Sequence, residues 1–266
     1  MRCWKTLKHL NMISQLDIST QLKNGKTVLK NCFFTPPFKV ANVTEDKKSA
    51  ELRLMLMSSS PGILDGDDYK IHISLAAETQ LHLSTQAFQR IFTMTHGARQ
   101  NVEIEMQTGS RLRYIPHPSV LHRQAMFDGR TTIFMSENSR LIFGDIITSG
   151  RVDQDELFQF DHYNAFIDVF LSKKLIFRDN QRIKPSEQNL ITMGLYEGFT
   201  HQALLLVCGT DVPLKPLLEK INTALQGYEG IEAAVTLTAH YGVLTRILGT
   251  KAEQLFLILN ELADLI

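Results

Sequence analysis

Apolar and polar side chains alternate along several short stretches in the first two thirds of the chain. Residues 70–75 read Lys-Ile-His-Ile-Ser-Leu, and residues 102–106 read Val-Glu-Ile-Glu-Met. A period of two places every second side chain on one face of a β-strand. The pattern therefore predicts that most of the chain forms β-strands, each with one buried face.

A unit of strand, polar turn and strand recurs about every 30 residues in this region. Each copy carries a leucine near the start of its second strand, and these are Leu81, Leu112, Leu141 and, in a weaker fourth copy, Leu175. One unit cannot cover its own apolar face, whereas stacked units build a continuous core. The repeat favours a mainly β fold with a stacked, β-helical-like scaffold of short strands. An ordinary antiparallel sandwich with evenly spaced hairpins is the alternative.

The last quarter of the chain changes to a helical pattern. Residues 213–225 and 251–266 each predict an α-helix, the second with an apolar stripe along one side. Residues 235–239 and 243–247 predict a pair of strands between the helices. The apolar sides of the helices either cap the β core or, in part, dock a partner.

The charge balance narrows the class of partner. The chain has 28 lysines and arginines against 28 aspartates and glutamates, and 44% of its residues are hydrophobic. A general nucleic-acid binder needs a basic face to displace counterions from phosphates, so no nucleic-acid partner is expected. The hydrophobic content predicts a folded chain with a sizeable core.

Cysteine usage and the N-terminus indicate the compartment. The cysteines, Cys3, Cys32 and Cys208, are odd in number and far apart, which favours reduced thiols over a disulfide framework. Polar residues interrupt the apolar character of the N-terminus, so no secretory signal is expected. The longest apolar run, residues 203–208, is too short to cross a bilayer. We therefore expect a cytoplasmic protein with no membrane partner.

Two histidines stand close together in a loop that contains two prolines. His117 and His122 are five positions apart, a spacing that suits neither one face of a helix nor one face of a strand. A metal site needs converging imidazole or thiolate ligands with further donors. We expect these histidines to serve loop structure or partner contact, and we expect no tight metal site.

Known nucleophile and phosphate-binding motifs do not occur in the sequence. Pro61 and Gly62 follow Ser60 in a strong turn signal, because proline presets one backbone dihedral and glycine permits a positive one. Acidic residues gather near 65–68 and 145–156. Paired carboxylates on a stacked β scaffold can hydrolyse glycosides, so a β-helical carbohydrate-active hydrolase is the enzymatic alternative. Solvated acidic loops are the simpler interpretation.

Four segments, taken together, resemble the UreD/UreH family of urease accessory proteins, and most closely its UreH branch. Three of them read Phe-Phe-Thr-Pro-Pro-Phe at 33–38, Ser-Pro-Gly-Ile-Leu-Asp-Gly-Asp at 60–67 and Pro-His-Pro-Ser-Val-Leu-His-Arg-Gln-Ala at 116–125. The fourth reads Gly-Asp-Ile-Ile-Thr-Ser-Gly-Arg at 144–151 and is followed by Asp-Glu-Leu-Phe-Gln-Phe at 155–160. The order and spacing of these segments carry the resemblance.

The resemblance implies a domain division and a role. Residues 1–26 would form a variable N-terminal segment, and residues 27–266 a single UreD/UreH-like domain. Its β scaffold would run to about residue 210, with the helices in 211–266. A member of this family is expected to be a non-catalytic scaffold that binds the accessory protein UreF, and through it the GTPase UreG, and meets apo-urease. Nickel would be a cargo in transit, with no tightly bound cofactor.

The resemblance also implies site residues by motif position. Asp67, Asp145 and Glu156 match acidic positions in the segments above, and we expect them to line or approach an interior polar path for nickel. Arg151 matches a neighbouring basic position. Its guanidinium is expected to pair with one of these carboxylates, because it can form two parallel hydrogen bonds to a carboxylate. Pro61, Gly62, His117 and His122 are expected to act in structure or partner contact.

Overall fold

The computed structural model describes residues 13–266, which form two β-sheets and two α-helices. In the first half of the chain, the strands are β1 Ile13–Lys23, β2 Lys26–Phe34, β3 Phe38–Asn42, β4 Leu52–Ser58, β5 Asp68–Leu75, β6 Gln80–Thr85, β7 Gln89–Ile91, β8 Ala98–Met106, β9 Arg111–Tyr114 and β10 Ser119–Leu121. In the second half, the elements are β11 Met126–Met135, β12 Arg140–Thr148, β13 His162–Leu171, β14 Lys174–Ile183, β15 His201–Gly209, α1 Leu214–Leu225, β16 Ile231–Leu237, β17 Gly242–Gly249 and α2 Ala252–Ala263. The prediction of a mainly β fold with two C-terminal helices is confirmed.

The strands divide between a seven-stranded and a ten-stranded sheet. The order in the first is β14-β13-β11-β8-β5-β1-β2, and the path through the second is β16-β17-β15-β12-β9-β6-β4-β3, with β7 and β10 beside it. Strand β1 lies within the segment expected to vary and pairs in parallel with β5. The predictions about Cys3 and the first twelve residues fall outside the described part of the chain.

Three of the repeat units stack on one another. In each, the first strand joins the seven-stranded sheet and the second joins the ten-stranded sheet. Val102 is in register with Ile71 and Thr131, the residues that align in the sequence repeat. Leu112 is likewise in register with Leu81 and with Leu141. The internal alignment of the sequence therefore gives the parallel register of these strands.

The fourth unit does not stack in this way, and that part of the prediction is wrong. Strands β13 and β14 form an antiparallel hairpin inside one sheet, where Leu175 faces Phe170 instead of Leu141. The reason lies in the turns. The three stacked units have four-residue turns whose third residue has a positive φ, namely Glu78, Gly109 and Asn138. The fourth has a two-residue turn, Ser172 and Lys173, with both φ angles positive, which folds a strand back on its neighbour.

The two helices cover the outer face of the ten-stranded sheet. Helix α1 follows Pro213, and its Leu217 and Ile221 face the sheet together with Leu255 and Leu259 of α2. The predicted strand pair between the helices is present as β16 and β17, joined antiparallel. Within residues 13–266, neither helix is long and apolar enough to span a bilayer.

Alternation along β12 separates two apolar layers. Leu141, Phe143 and Ile147 point between the two sheets and belong to the main core. Ile146 points the opposite way and joins the core beneath the helices. Successive strand residues face opposite sides of a sheet, so Asp145 points with the first group, into the space between the sheets.

Candidate functional site

A cavity of about 220 Å³ lies between the two sheets. Aromatic side chains such as Tyr69, Tyr114 and Tyr163 line it together with the polar side chains Gln89 and Gln100. Asp145 is the one carboxylate among its lining residues within the described chain. The sheets therefore enclose a partly polar space where a layered β fold would otherwise have apolar packing.

The setting of Asp145 makes its charge costly. Burial and, to a smaller extent, the nearby Asp179 carboxylate raise the pKa of Asp145, and the net value is about 6. A hydrogen bond donated by the Ile146 backbone N–H and the positive charge of Arg246 act in the opposite direction. Burial disfavours the ionised form of a carboxyl group. With a pKa of about 6, Asp145 is mostly ionised at neutral pH and takes up a proton as the pH falls.

Asp179 and Arg246 form a second polar group beside Asp145. Asp179 lies on β14 and is 7% exposed, and its Oδ1 accepts a hydrogen bond from Nη2 of Arg246 on β17. Nε2 of Gln181 donates to Asp179 Oδ2 at 3.2 Å. Asp179 is thus paired with a guanidinium and does not line the cavity, whereas Asp145 does.

Buried tyrosines surround the same carboxylate. Burial and, to a smaller extent, the Asp145 charge raise the pKa of Tyr114 to about 12. Burial and then the Asp145 charge also raise the pKa values of Tyr163 and Tyr196. These phenols stay neutral and supply hydroxyl groups that can donate to an anion or offer a lone pair to a cation.

Asp67 approaches the cavity through a tyrosine. Its Oδ2 accepts a hydrogen bond from the backbone N–H of Leu64 at 2.8 Å, which ties it to the turn after Pro61. Burial and then the Asp67 charge raise the pKa of Tyr69, and Tyr69 lines the cavity. The structure therefore places Asp67 beside a lining residue but not among the lining residues.

Glu156 is held in an ion pair away from the cavity wall. Nε and Nη2 of Arg151 donate to the two carboxylate oxygens of Glu156 at 2.7 and 2.5 Å. This pairing lowers the pKa of Glu156, because an opposite charge favours the ionised form. Gly150 has φ +142° and lies so close to the Glu156 carbonyl that a side chain would collide with it. The backbone segments next to Arg151 and at Glu156 are therefore in close contact.

The two candidate histidines have separate surroundings. His117 lines the cavity, with its Nδ1 2.8 Å from Thr85 Oγ1 and its ring stacked on Phe256 of α2 at 4.2 Å. His122 is buried and packs on Phe92, with ring centroids 4.5 Å apart. Burial lowers the pKa of both imidazoles. Both histidines therefore serve packing in this structure, and no ligand set joins them within residues 13–266.

Pro61 and Gly62 form part of the cavity wall. A side chain at Gly62 would come within 2.3 Å of the Arg90 carbonyl oxygen, so glycine is required for the close approach of these two segments. The neighbouring Ile63 forms an isolated parallel bridge with Ile91. The turn at Pro61 and Gly62 therefore packs tightly against the segment around Arg90 where it lines the cavity.

Comparison with known proteins gives the chain a family. The family model described as UreD urease accessory protein matches residues 13–266. The urease accessory protein UreD of Flavobacterium johnsoniae is 39% identical over 246 residues, covering 92% of this chain and 89% of that relative. Those of Acetivibrio thermocellus and Haemophilus influenzae are 33% and 36% identical, covering 95% and 91% of this chain and 97% and 98% of theirs.

A match across nearly the whole chain, together with these relatives, defines the class as that of the urease accessory proteins. The chain belongs to the UreD family. The resemblance that the four sequence segments carry is thereby confirmed at the level of the family, while its assignment to the UreH branch stays a prediction.

Proposed function

We propose that this chain acts as a non-catalytic maturation factor that helps nickel to reach the active site of urease. It would bind UreF directly and UreG through UreF, and the assembled complex would meet apo-urease in the cytoplasm. The observation that carries the proposal is the cavity between the two sheets, with Asp145 in its wall. Membership of the UreD family of urease accessory proteins supports a role in urease maturation, and the resemblance described above implies nickel as the cargo.

The chemistry of the cavity suits an ion that must leave again. Ni²⁺ binds clustered imidazoles and thiolates tightly, whereas conduction needs a site that is weak enough to release its ion. Within the described lining, one carboxylate is accompanied by phenols, hydroxyls, amides, a single histidine, His117, and the guanidinium of Arg130, which is paired with Asp168. A proton competes with nickel for Asp145, since its pKa is raised to about 6, and this competition favours release.

Asp67 and Glu156, which do not line the cavity, would contact the ion before or after it passes Asp145. Asp67 lies beside Tyr69 at one part of the cavity wall, and the ion pair of Glu156 with Arg151 lies in the loop that follows β12. A cation that reaches Glu156 would have to compete with the Arg151 guanidinium. We propose that Asp145 contributes most to transfer, and that Asp67 and Glu156 contribute less.

Reconstitution tests the proposed role. The full chain is co-expressed with UreF and UreG, the complex is isolated by size-exclusion chromatography, and apo-urease is activated with nickel. We expect co-elution of this chain with UreF, and urease activation that falls to the background level when this chain is omitted. Equal activation with and without the chain, or separate elution from UreF, would contradict the proposal.

A further inference from the structure

A group of ionisable side chains lies on the outward face of the seven-stranded sheet, far from the interior position of Asp145. On β5, Ile71 and Ile73 are buried, so His72 between them points outward. In the parallel pairing, His72 is in register with Asp17 on β1 and with Glu103 on β8. Three adjacent strands therefore place an aspartate, a histidine and a glutamate in one row.

The ligand atoms of this group converge. One side-chain atom from each of His72, Glu103 and Glu105 lies within 4.8 Å of the others. Nε2 of His72 is 3.9 Å from Glu105 Oε2, while Nδ1 is 3.7 Å from Asp17 Oδ1. The imidazole thus has Nε2 toward Glu105 and Nδ1 toward Asp17. Carboxylates commonly orient metal-binding histidines from the far ring nitrogen in this way.

The charges of the group favour a cation between them. Asp17, Glu103 and Glu105 bring three carboxylates around one imidazole, and the two ion-pair contacts recorded for these acids in residues 13–266 are both with His72. Like charges on neighbouring strands repel each other. A bound cation would relieve that repulsion without moving the strands, because the parallel ladder fixes the Cα positions.

We propose that His72, Glu103 and Glu105 form a surface binding site for a divalent transition cation of the Ni²⁺ or Zn²⁺ class, with Asp17 as a positioning residue. Imidazole nitrogen suits these ions, whereas Mg²⁺ prefers oxygen ligands alone. Each ligand side chain is accessible from solvent, so the bound ion would exchange freely. Such a freely exchanging site is compatible with the expectation of no tight metal site, and it does not depend on the proposed role in urease maturation.

Calorimetric titration of the full chain with NiCl₂ in excess Mg²⁺ tests the site. We expect H72Q and the double variant E103Q/E105Q each to lose one equivalent of nickel or to bind it at least about tenfold more weakly, and D17N to weaken it about tenfold. Matched controls are H240Q and E45Q/E137Q, which remove the same groups from other exposed positions and should bind as the parent chain does.

The inference is wrong if H72Q and E103Q/E105Q, shown by circular dichroism to be folded, bind nickel with the stoichiometry and affinity of the parent. It is also wrong if excess Mg²⁺ displaces the nickel, since that would mark a site of oxygen ligands alone. Urease activation is measured separately with the same variants. Failure of the parent chain to support activation would remove the maturation role and leave the calorimetric result unaffected.

Discussion

The two faces of the ten-stranded sheet differ in how they are filled. On the helix side, Leu255 and Leu259 of α2 are fully buried against the sheet, and Gly144 of β12 lets Leu259 approach closely. On the side toward the other sheet, Asp145 occupies a position between Phe143 and Ile147 and borders a cavity. The difference indicates that the helix layer supplies stability, while the space between the sheets gives up packing for a polar site.

The largest effect should come from the helix side. Leu259→Ala leaves a void under α2 and is expected to lower the free energy of unfolding by about 3 kcal/mol, measured by urea denaturation. Leu257→Ala, in the same helix but 59% exposed, is the matched control and should change it by less than about 0.5 kcal/mol. Equal effects of the two substitutions would show that this layer is not the stabilising one.

Asp145→Asn should act in the opposite direction. The folded-state pKa of Asp145, about 6, lies above its ordinary value of 3.8. The unfolded chain therefore loses this proton first, and the group's contribution to stability declines as pH rises from about 4 to about 6. We expect the variant to remove that decline, so that its free energy of unfolding at pH 7 exceeds that of the parent by about 2 to 3 kcal/mol.

Urea denaturation of the parent and of D145N across pH 4 to 8 measures this effect as a difference. Asp161→Asn, at an exposed position, serves as the matched control and should run parallel to the parent. A D145N variant that is less stable than the parent at pH 7 would contradict this prediction, because the ionised Asp145 carboxylate would then stabilise the fold.

A smaller effect is expected at the cavity wall. Gly62→Ala puts a methyl group against the Arg90 carbonyl oxygen, and overpacking of this kind is expected to cost about 1 to 2 kcal/mol. Gly198→Ala, where nothing lies within 4 Å of the added atom, is the control and should be close to neutral. If Gly62→Ala leaves the thermal unfolding temperature unchanged, then the segments at Gly62 and Arg90 can separate enough to accommodate the methyl group.

The sequence pattern predicts the stacking of three repeat units but not the hairpin that the fourth unit forms. Ile71, Val102 and Thr131 align in the repeat and lie in register, because stacked units must present the same face at the same height. The fourth unit has a similar hydrophobic pattern. Its two-residue turn at Ser172 and Lys173 changes the destination of the following strand, and turn geometry overrides the repeat there.

In the candidate site, too, some residues could be predicted from the sequence and others could not. Asp145 was identified by motif position, and its orientation into the cavity follows from strand alternation. Asp179 and Arg246 were missed, since Asp179 stands in the polar stretch 178–182, which is typical of a solvated strand. Only the folding of β14 and β17 toward each other buries Asp179 against the Arg246 guanidinium, and that contact joins residues 67 positions apart.

The nickel content of urease matured with Asp145→Ala tests the central claim most directly. Apo-urease is matured with the parent chain or with one of five variants, namely D67A, D145A, E156A, their triple combination and the control D161A. The nickel content per active site is then measured by inductively coupled plasma mass spectrometry. We expect D145A and the triple variant to lower nickel at least about tenfold while the complex with UreF still forms, and D161A to match the parent. Full nickel loading in D145A and in the triple variant would contradict the assignment of the cavity as the path.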